Sequence, residues 1–130
     1  AELMLAWELR SHHAARTHAG PVIFDRGVPD VIGYLTLCGL PVPAHVRRAA
    51  EMFRYNIQVL IAPHWPEIYD TDAERMQSPD EAEATAAAMA RVYGDLGYEV
   101  LTLPLAPVAA RVAFVRTITA SHLKRAGDRK

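Results

Sequence analysis

A carboxylate and a guanidinium stand side by side directly after a short apolar run, and they are the strongest candidates for chemistry in this sequence. The run is Val22–Phe24, and Asp25, Arg26 and Gly27 follow it. A carboxylate at the end of a buried strand can hold hydrated Mg²⁺, because this ion combines one or two carboxylates with water and phosphate oxygens. A neighbouring arginine can bind a phosphate or another anion in a bidentate manner. We therefore predict that Asp25 and Arg26 are catalytic, and that Asp25 contacts the metal through water.

The same turn also has structural interpretations. Aspartate is common wherever a strand stops, so Asp25 can simply cap the turn. Arg26 can pair with Asp30 or Glu67 instead of a ligand, and these interpretations are evenly balanced. Gly27 predicts either a positive φ or a close backbone approach. Asp30, near the start of the following helix, is predicted to bind substrate.

A proline-rich and charged segment, residues 64–78, is predicted to be a long functional loop or lid. Trp65 lies between prolines that restrict the backbone, so it can form an aromatic wall for the substrate. Arg75 can stabilise charge that develops during phosphoryl transfer, and Gln77 is assigned to substrate binding. A solvated charged stretch leading into a helix is the simpler interpretation of this end of the lid.

Three histidines near the N-terminus suggest a metal site, but no accompanying cysteine or carboxylate set has zinc spacing. We interpret His12, His13 and His18 as an exposed helix end. Cys38 is interpreted as a small core residue. It is the single cysteine, which excludes an internal disulfide and fits a reducing cytosol, so we expect a cytoplasmic protein.

These residues must be positioned by alternating helices and short apolar strands. Helices are predicted at residues 1–19, 29–37, 44–55, 79–96 and 107–124, and strands at residues 22–24, 57–62 and 98–103. Strand–helix–strand order with long crossovers predicts an α/β fold, a three-layer parallel sheet with helices on both faces. Because ligands bind at the carboxyl ends of such strands, the candidate residues should converge at one edge of the sheet.

Composition limits the function classes. The 130 residues form one domain by length, and 51% hydrophobic with 22% charged residues is typical of a globular chain. A formal net charge of -1 with interspersed signs argues against nucleic acid as the main partner. No apolar run reaches the roughly 20 residues of a membrane helix. The chain starts without Met inside a helical pattern, so we expect a fragment or a chain lacking its leading residues.

Three stretches together resemble a bacterial family of small ATPases, often labelled an AAA domain and similar to P-loop nucleoside and nicotinamide-riboside kinases. They are Val22–Leu35, Val59–Tyr69 and Asp72–Gln77, in this order, and the resemblance runs from residue 1 to about residue 118, nearly the whole chain. The resemblance implies a P-loop fold and a function as an ATPase or small-molecule kinase. It implies ATP and Mg²⁺ as cofactors, a nucleotide partner and an unidentified small-molecule acceptor.

The resemblance also implies roles for single residues. The DRG turn matches a Walker B-like element, which makes Asp25 the metal-side carboxylate and Arg26 a phosphate-side or substrate-side group. Arg75 falls in the part that resembles a phosphate-closing lid. The loop that borders the adenine in the related kinases corresponds to Pro104, Leu105 and Val108.

The front of the family's pattern is absent from these residues. No GxxxxGK[ST] or GxGxxG motif occurs in the 130 residues. The resemblance therefore implies a further central strand, between residues 22–24 and 57–62, from residues before Ala1 or another chain. It also implies weak ATP binding by this chain alone. A different class remains open: a non-catalytic α/β interaction module that pairs its exposed strand edge with a partner or a second copy.

Overall fold

The computed structural model describes residues 1–63, 65 and 79–128, with side chains for residues 1–63, 65 and 80–121. The described part is an α/β arrangement of five helices and two strands. The elements in chain order are α1 (Glu2–Ala15), α2 (Val28–Leu37), α3 (Ala44–Met52), β1 (Gln58–Ile61), α4 (Pro79–Asp95), β2 (Glu99–Thr102) and α5 (Val108–Asp128). None of the described helices is both long and apolar enough to cross a membrane.

Helix α2 begins and ends where the sequence predicts. Pro29 lies in its first turn, where a missing amide hydrogen leaves no bond unmade. The Asp30 carboxylate accepts a hydrogen bond from the backbone amide of Gly27, which satisfies one of the donors that a helix start leaves free. The helix stops before Gly39, whose φ of +70° lies in the left-handed region that glycine tolerates.

The sheet of the described residues has two strands, and they run parallel as predicted. β1 pairs with β2 in a register that sets Val59 opposite Val100 and Ile61 opposite Thr102. Helix α4 provides the crossover between them and packs on both strands. Since the strands are parallel neighbours, their carboxyl ends lie at the same edge of the sheet.

The predicted strand at residues 22–24 is wrong. The segment does not belong to the sheet, and Val22 and Ile23 are 38% and 76% exposed. Three apolar residues are too short a pattern to specify a strand, because a strand also needs a neighbour for its amides and carbonyls. Phe24 instead packs its ring against His12 and Tyr55 from other elements.

The main core lies among helices rather than on the sheet. Val28, Val31 and Val46 are fully buried, and Leu5 of α1 joins them. Helix α4 closes on α2 where Met89 packs against Gly33; a Cβ at position 33 would lie 2.5 Å from the Met89 sulfur. In the described part, therefore, the helical layer α1–α2–α3 carries most of the burial that holds the turn at residues 25–30 in place.

Candidate functional site

The turn from Asp25 to Gly27 has an unusual backbone that places the candidate side chains. Arg26 has a φ of +80°, a conformation that costs an L-residue about 1–2 kcal/mol. Gly27 is extended, with a φ of −152°, so the positive φ predicted there falls one residue earlier. The alternative prediction, a close approach, is confirmed: a Cβ at position 27 would lie 2.9 Å from the Tyr55 ring. Tyr55 is fixed there because its hydroxyl accepts a hydrogen bond from the Val28 amide at 2.9 Å.

Asp30 is the most buried charged residue of the turn, at 6% exposure. Its carboxylate accepts hydrogen bonds from three protein groups: the Gly27 amide at 3.2 Å, Arg26 Nη1 at 3.3 Å and the Tyr93 hydroxyl at 2.5 Å. Burial and the adjacent Asp30 charge raise the pKa of Tyr93 well above its usual range, so Tyr93 stays a donor. Asp30 thus organises the turn, and its predicted contact with substrate stays a prediction.

Asp25 is exposed and makes no side-chain hydrogen bond within the described residues. It lines an open pocket of about 380 Å³ between α1 and the segment 22–26, together with Glu8, His18 and Arg26. Burial, followed by the charges of Asp30 and Asp25, raises the pKa of Glu8, while Arg26 acts in the opposite direction. Glu8 is therefore a member of the site that the sequence analysis missed. Leu3 and Trp7, two large apolar residues of α1, are 72% and 57% exposed, so they do not mark the side of the helix that faces the protein. The apolar pattern of α1 therefore did not reveal that Glu8 lies at this pocket.

The donor set suits a hydrated Mg²⁺ better than a tightly ligated metal. No group of three or more His, Cys, Asp or Glu among the residues with described positions could hold a metal ion. Mg²⁺, however, needs only one or two carboxylates when it keeps its waters and binds phosphate oxygens. Asp25, with its free carboxylate facing an open pocket, fits that requirement.

Arg26 borders a second pocket on its other side. This partly open pocket, of about 320 Å³, lies between α1, α2 and α4, and its lining includes Asp30, Tyr34 and Met89. The guanidinium of Arg26 uses one nitrogen for Asp30, and its side chain is 59% exposed. Its remaining donors are available to an anion in either pocket.

His12 has an environment that the sequence did not predict. It is half-buried rather than part of an exposed helix end, and the rings of Phe24, Phe53 and Tyr55 surround it at centroid distances of 5.2 to 6.4 Å. Its Nε2 lies 2.8 Å from the carbonyl oxygen of Arg54 and donates to it, so α1 is joined to the segment after α3. His13 and His18 are exposed as predicted. The core position predicted for Cys38 is wrong, since the thiol is exposed at the end of α2.

A second group of candidates lies at the carboxyl ends of β1 and β2. Trp65 follows β1, and Pro104 and Leu105 follow β2 ahead of Val108, the first residue of α5. Leu105 and Val108 are 57% and 72% exposed, which leaves apolar surface on this rim. Arg111, which the sequence analysis did not consider, lies with its guanidinium carbon 5.9 Å from the centroid of the Trp65 ring.

The structure therefore brings the candidates together in two groups, one around Asp25, Arg26 and Asp30, the other around Trp65 and the start of α5. Arg75 and Gln77 lie outside the described residues, as does most of the lid that should carry them.

Residues 1–111 match the family model described as an AAA domain, so the match includes both groups of candidates. No curated protein matches the chain, and no solved structure matches it.

Proposed function

The chain belongs to the AAA domain family, and on that premise we propose that it is part of an ATP-binding P-loop ATPase or a small-molecule, kinase-like phosphotransferase that uses Mg²⁺. The observation that carries the proposal is the family match over residues 1–111. Support from the site comes from Asp25, an exposed carboxylate beside an arginine on an open pocket.

Each side chain of the turn would have a separate task. Asp25 would hold the metal through water, and Asp30 restrains Arg26 by accepting a hydrogen bond from its Nη1. Arg26 would use its free donors to bind a phosphate oxygen or an anionic group of the acceptor. Mg²⁺, when bound, neutralises charge on the phosphates of the nucleotide. Among the residues outside the described part, Arg75 would close over the phosphates and Gln77 would bind the acceptor.

The base of the nucleotide would lie against Pro104, Leu105 and Val108. The exposure of Leu105 and Val108 supports this, since an apolar rim at the carboxyl end of a parallel strand suits a flat heterocycle. Trp65, on the neighbouring strand end, would form an aromatic wall for the substrate. ATP would bind only weakly to the 130 residues alone, because the phosphate-binding loop that supplies backbone amides and a lysine has no counterpart in this sequence. A millimolar dissociation constant corresponds to only about −4 kcal/mol.

The test uses the product of the whole gene, whatever its length, beside the 130-residue chain. Calorimetric titration with Mg-ATP and an ATP hydrolysis assay are carried out on the parent, on Asp25→Asn and on Asp95→Asn, a control at an exposed aspartate at the end of α4. We expect Asp25→Asn to raise the Mg²⁺ concentration needed for activity by about 10- to 100-fold, the usual effect of losing an outer-shell metal partner. Asp95→Asn should leave it unchanged. A whole gene product that neither binds nor hydrolyses Mg-ATP would refute the proposal.

One observation favours the alternative, an interaction module. Within the described residues β1 pairs only with β2, so its other edge carries unpaired backbone groups, and Ile57 beside it is 47% exposed. Such an edge can accept a strand from a partner or a second copy. The ladder bonds at the two ends of β1 use the carbonyls of Ile57 and Ile61, so Leu60 directs its amide to the free edge. If this reading is correct, Leu60→Pro abolishes self-association in sedimentation experiments and Mg-ATP has no effect on it.

A further inference from the structure

Among the arginines of the described residues, Arg111 has a buried side-chain nitrogen that lacks a hydrogen-bond acceptor. Its Nε is buried and makes no hydrogen bond. Ion pairs among the described residues join Arg26 to Asp30 and His45 to Glu2, and none involves Arg111. A buried guanidinium donor with no acceptor is unfavourable and requires an explanation, and an acceptor on a bound ligand is one such explanation.

A comparison with Arg54 shows what a structural arginine looks like in this protein. Arg54 also lies over an aromatic ring, that of Tyr98, at 4.1 Å. Its Nη1, however, donates to the carbonyl oxygen of Leu96 at 2.8 Å and so caps the end of α4. Arg54 therefore has both its ring contact and its acceptor, whereas Arg111 has the ring contact alone.

Arg111 lies near the edge of the sheet that is formed by the carboxyl ends of the strands, where α/β proteins bind their ligands. It lies one turn into α5, and helical side chains tilt toward the N-terminus of their helix. The N-terminus of α5 follows the carboxyl end of β2. The guanidinium of Arg111 lies near Trp65, which follows the carboxyl end of the adjacent β1. Arg111 thus bridges the two strand ends where an α/β sheet binds its ligand.

We propose that Arg111 binds a phosphate group of the ligand, held in position by its contact with the face of Trp65. The guanidinium fork matches phosphate oxygens, and the cation–π contact with Trp65 favours a position of the guanidinium near the ring before the ligand arrives. That the anion is a phosphate rests on the proposed function; the need for an anion rests on the geometry of Arg111 itself.

The experiment uses Trp65 as its own reporter. The chain has two tryptophans, and Trp7 is 57% exposed on α1, so Trp7→Phe leaves Trp65 as the single tryptophan, which is excited selectively over the tyrosines, at little structural cost. This variant is titrated with pyrophosphate at constant ionic strength. We expect a saturable change in Trp65 emission. Adding Arg111→Met should raise the dissociation constant at least tenfold, because a bidentate charged contact is lost.

Two further variants separate a ligand contact from a folding effect. Arg111→Lys keeps the charge but not the fork, and it should bind pyrophosphate with intermediate strength. Arg116→Met removes an exposed arginine farther along α5 and should bind like the parent. Circular dichroism confirms that each variant is folded.

The outcomes are distinguishable from those of the proposed function. Equal pyrophosphate affinity in the Arg111→Met variant, or no response of Trp65 to pyrophosphate, overturns the assignment of Arg111 while leaving Mg-ATP binding by the whole gene product untouched. An Arg111-dependent response to adenosine, which has no phosphate, overturns the phosphate assignment. A whole gene product that fails to bind Mg-ATP, with an Arg111-dependent pyrophosphate response intact, sinks the proposed function and supports Arg111 as an anion-binding residue.

Discussion

The hydrogen bond between Asp30 and Tyr93 should be the largest of the contributions that the Asp30 carboxylate makes to the stability of the chain. Both residues are 6% exposed, and the two belong to α2 and α4, the helices that close the helical layer on the crossover. A double-mutant cycle with Asp30→Ala and Tyr93→Phe isolates this contact from the others that Asp30 makes.

The magnitude follows from the three partners of the carboxylate. A buried hydrogen bond to a charged group contributes about 1.5–3 kcal/mol, which is assigned to Tyr93. The helix-start bond from Gly27 adds about 1 kcal/mol. The pair with Arg26, whose side chain is 59% exposed, adds about 0–1 kcal/mol. Asp30→Ala should therefore cost roughly 2.5–5 kcal/mol, a large share of the 5–15 kcal/mol typical of a domain.

The assay is urea denaturation followed by circular dichroism, with the free energy of unfolding extrapolated to water. Tyr93→Phe alone should cost about 1.5–3 kcal/mol, and the double variant should cost less than the sum by a similar amount. If Asp30→Ala does not fold, the cycle is run with Asp30→Asn, which keeps an acceptor oxygen and therefore measures only the part of the bond that depends on the carboxylate charge. Additivity of the two substitutions to within about 0.5 kcal/mol would show that the bond contributes nothing.

Two other substitutions test the packing and the electrostatics of the same turn. Gly27→Ala places a methyl group against the hydrogen-bonded ring of Tyr55 and should destabilise the chain by about 1–3 kcal/mol, measured as a lower urea midpoint; an unchanged midpoint would mean that the ring moves freely. Glu8→Gln should stabilise the chain at pH 7 and have no such effect below pH 4.5. Because the pKa of Glu8 is higher in the folded chain than its ordinary 4.5, the folded state binds more protons across that interval, so the wild type loses stability as pH rises through it and the variant does not. Equal pH profiles for the two proteins, measured by thermal unfolding, would contradict this.

Elements that local rules specify could be predicted from the sequence. Helix α2 has a proline in its first turn, an aspartate that bonds back to the amide before it and a glycine after its end, and each of these acts within a few residues. The parallel pairing of β1 and β2 was predictable for a similar reason: two apolar runs separated by a long helix have few other ways to pack.

Features that depend on contacts distant in sequence could not be predicted. The segment at residues 22–24 does not form a strand, and Phe24 packs instead against the rings of His12 and Tyr55, which are distant in sequence. Glu8 enters the site because α1 crosses the turn at residues 25–26, an arrangement that no local pattern reports. Glycine is needed at position 27 for its close approach to the distant Tyr55 ring, while the left-handed residue of the turn is Arg26.

Helix α4 is the element on which the two halves of the described structure both depend. It packs on α2 on one side and on β1 and β2 on the other. A local opening of α4 would expose the buried Met89 and Tyr93 and remove the cover of the sheet at the same time. The amides of α2, α4 and β2 should consequently exchange with deuterium as one cooperative unit, at the rate of global unfolding, while those of α1 exchange sooner. A single helix would thus set how long the Asp25 and Trp65 regions stay assembled together.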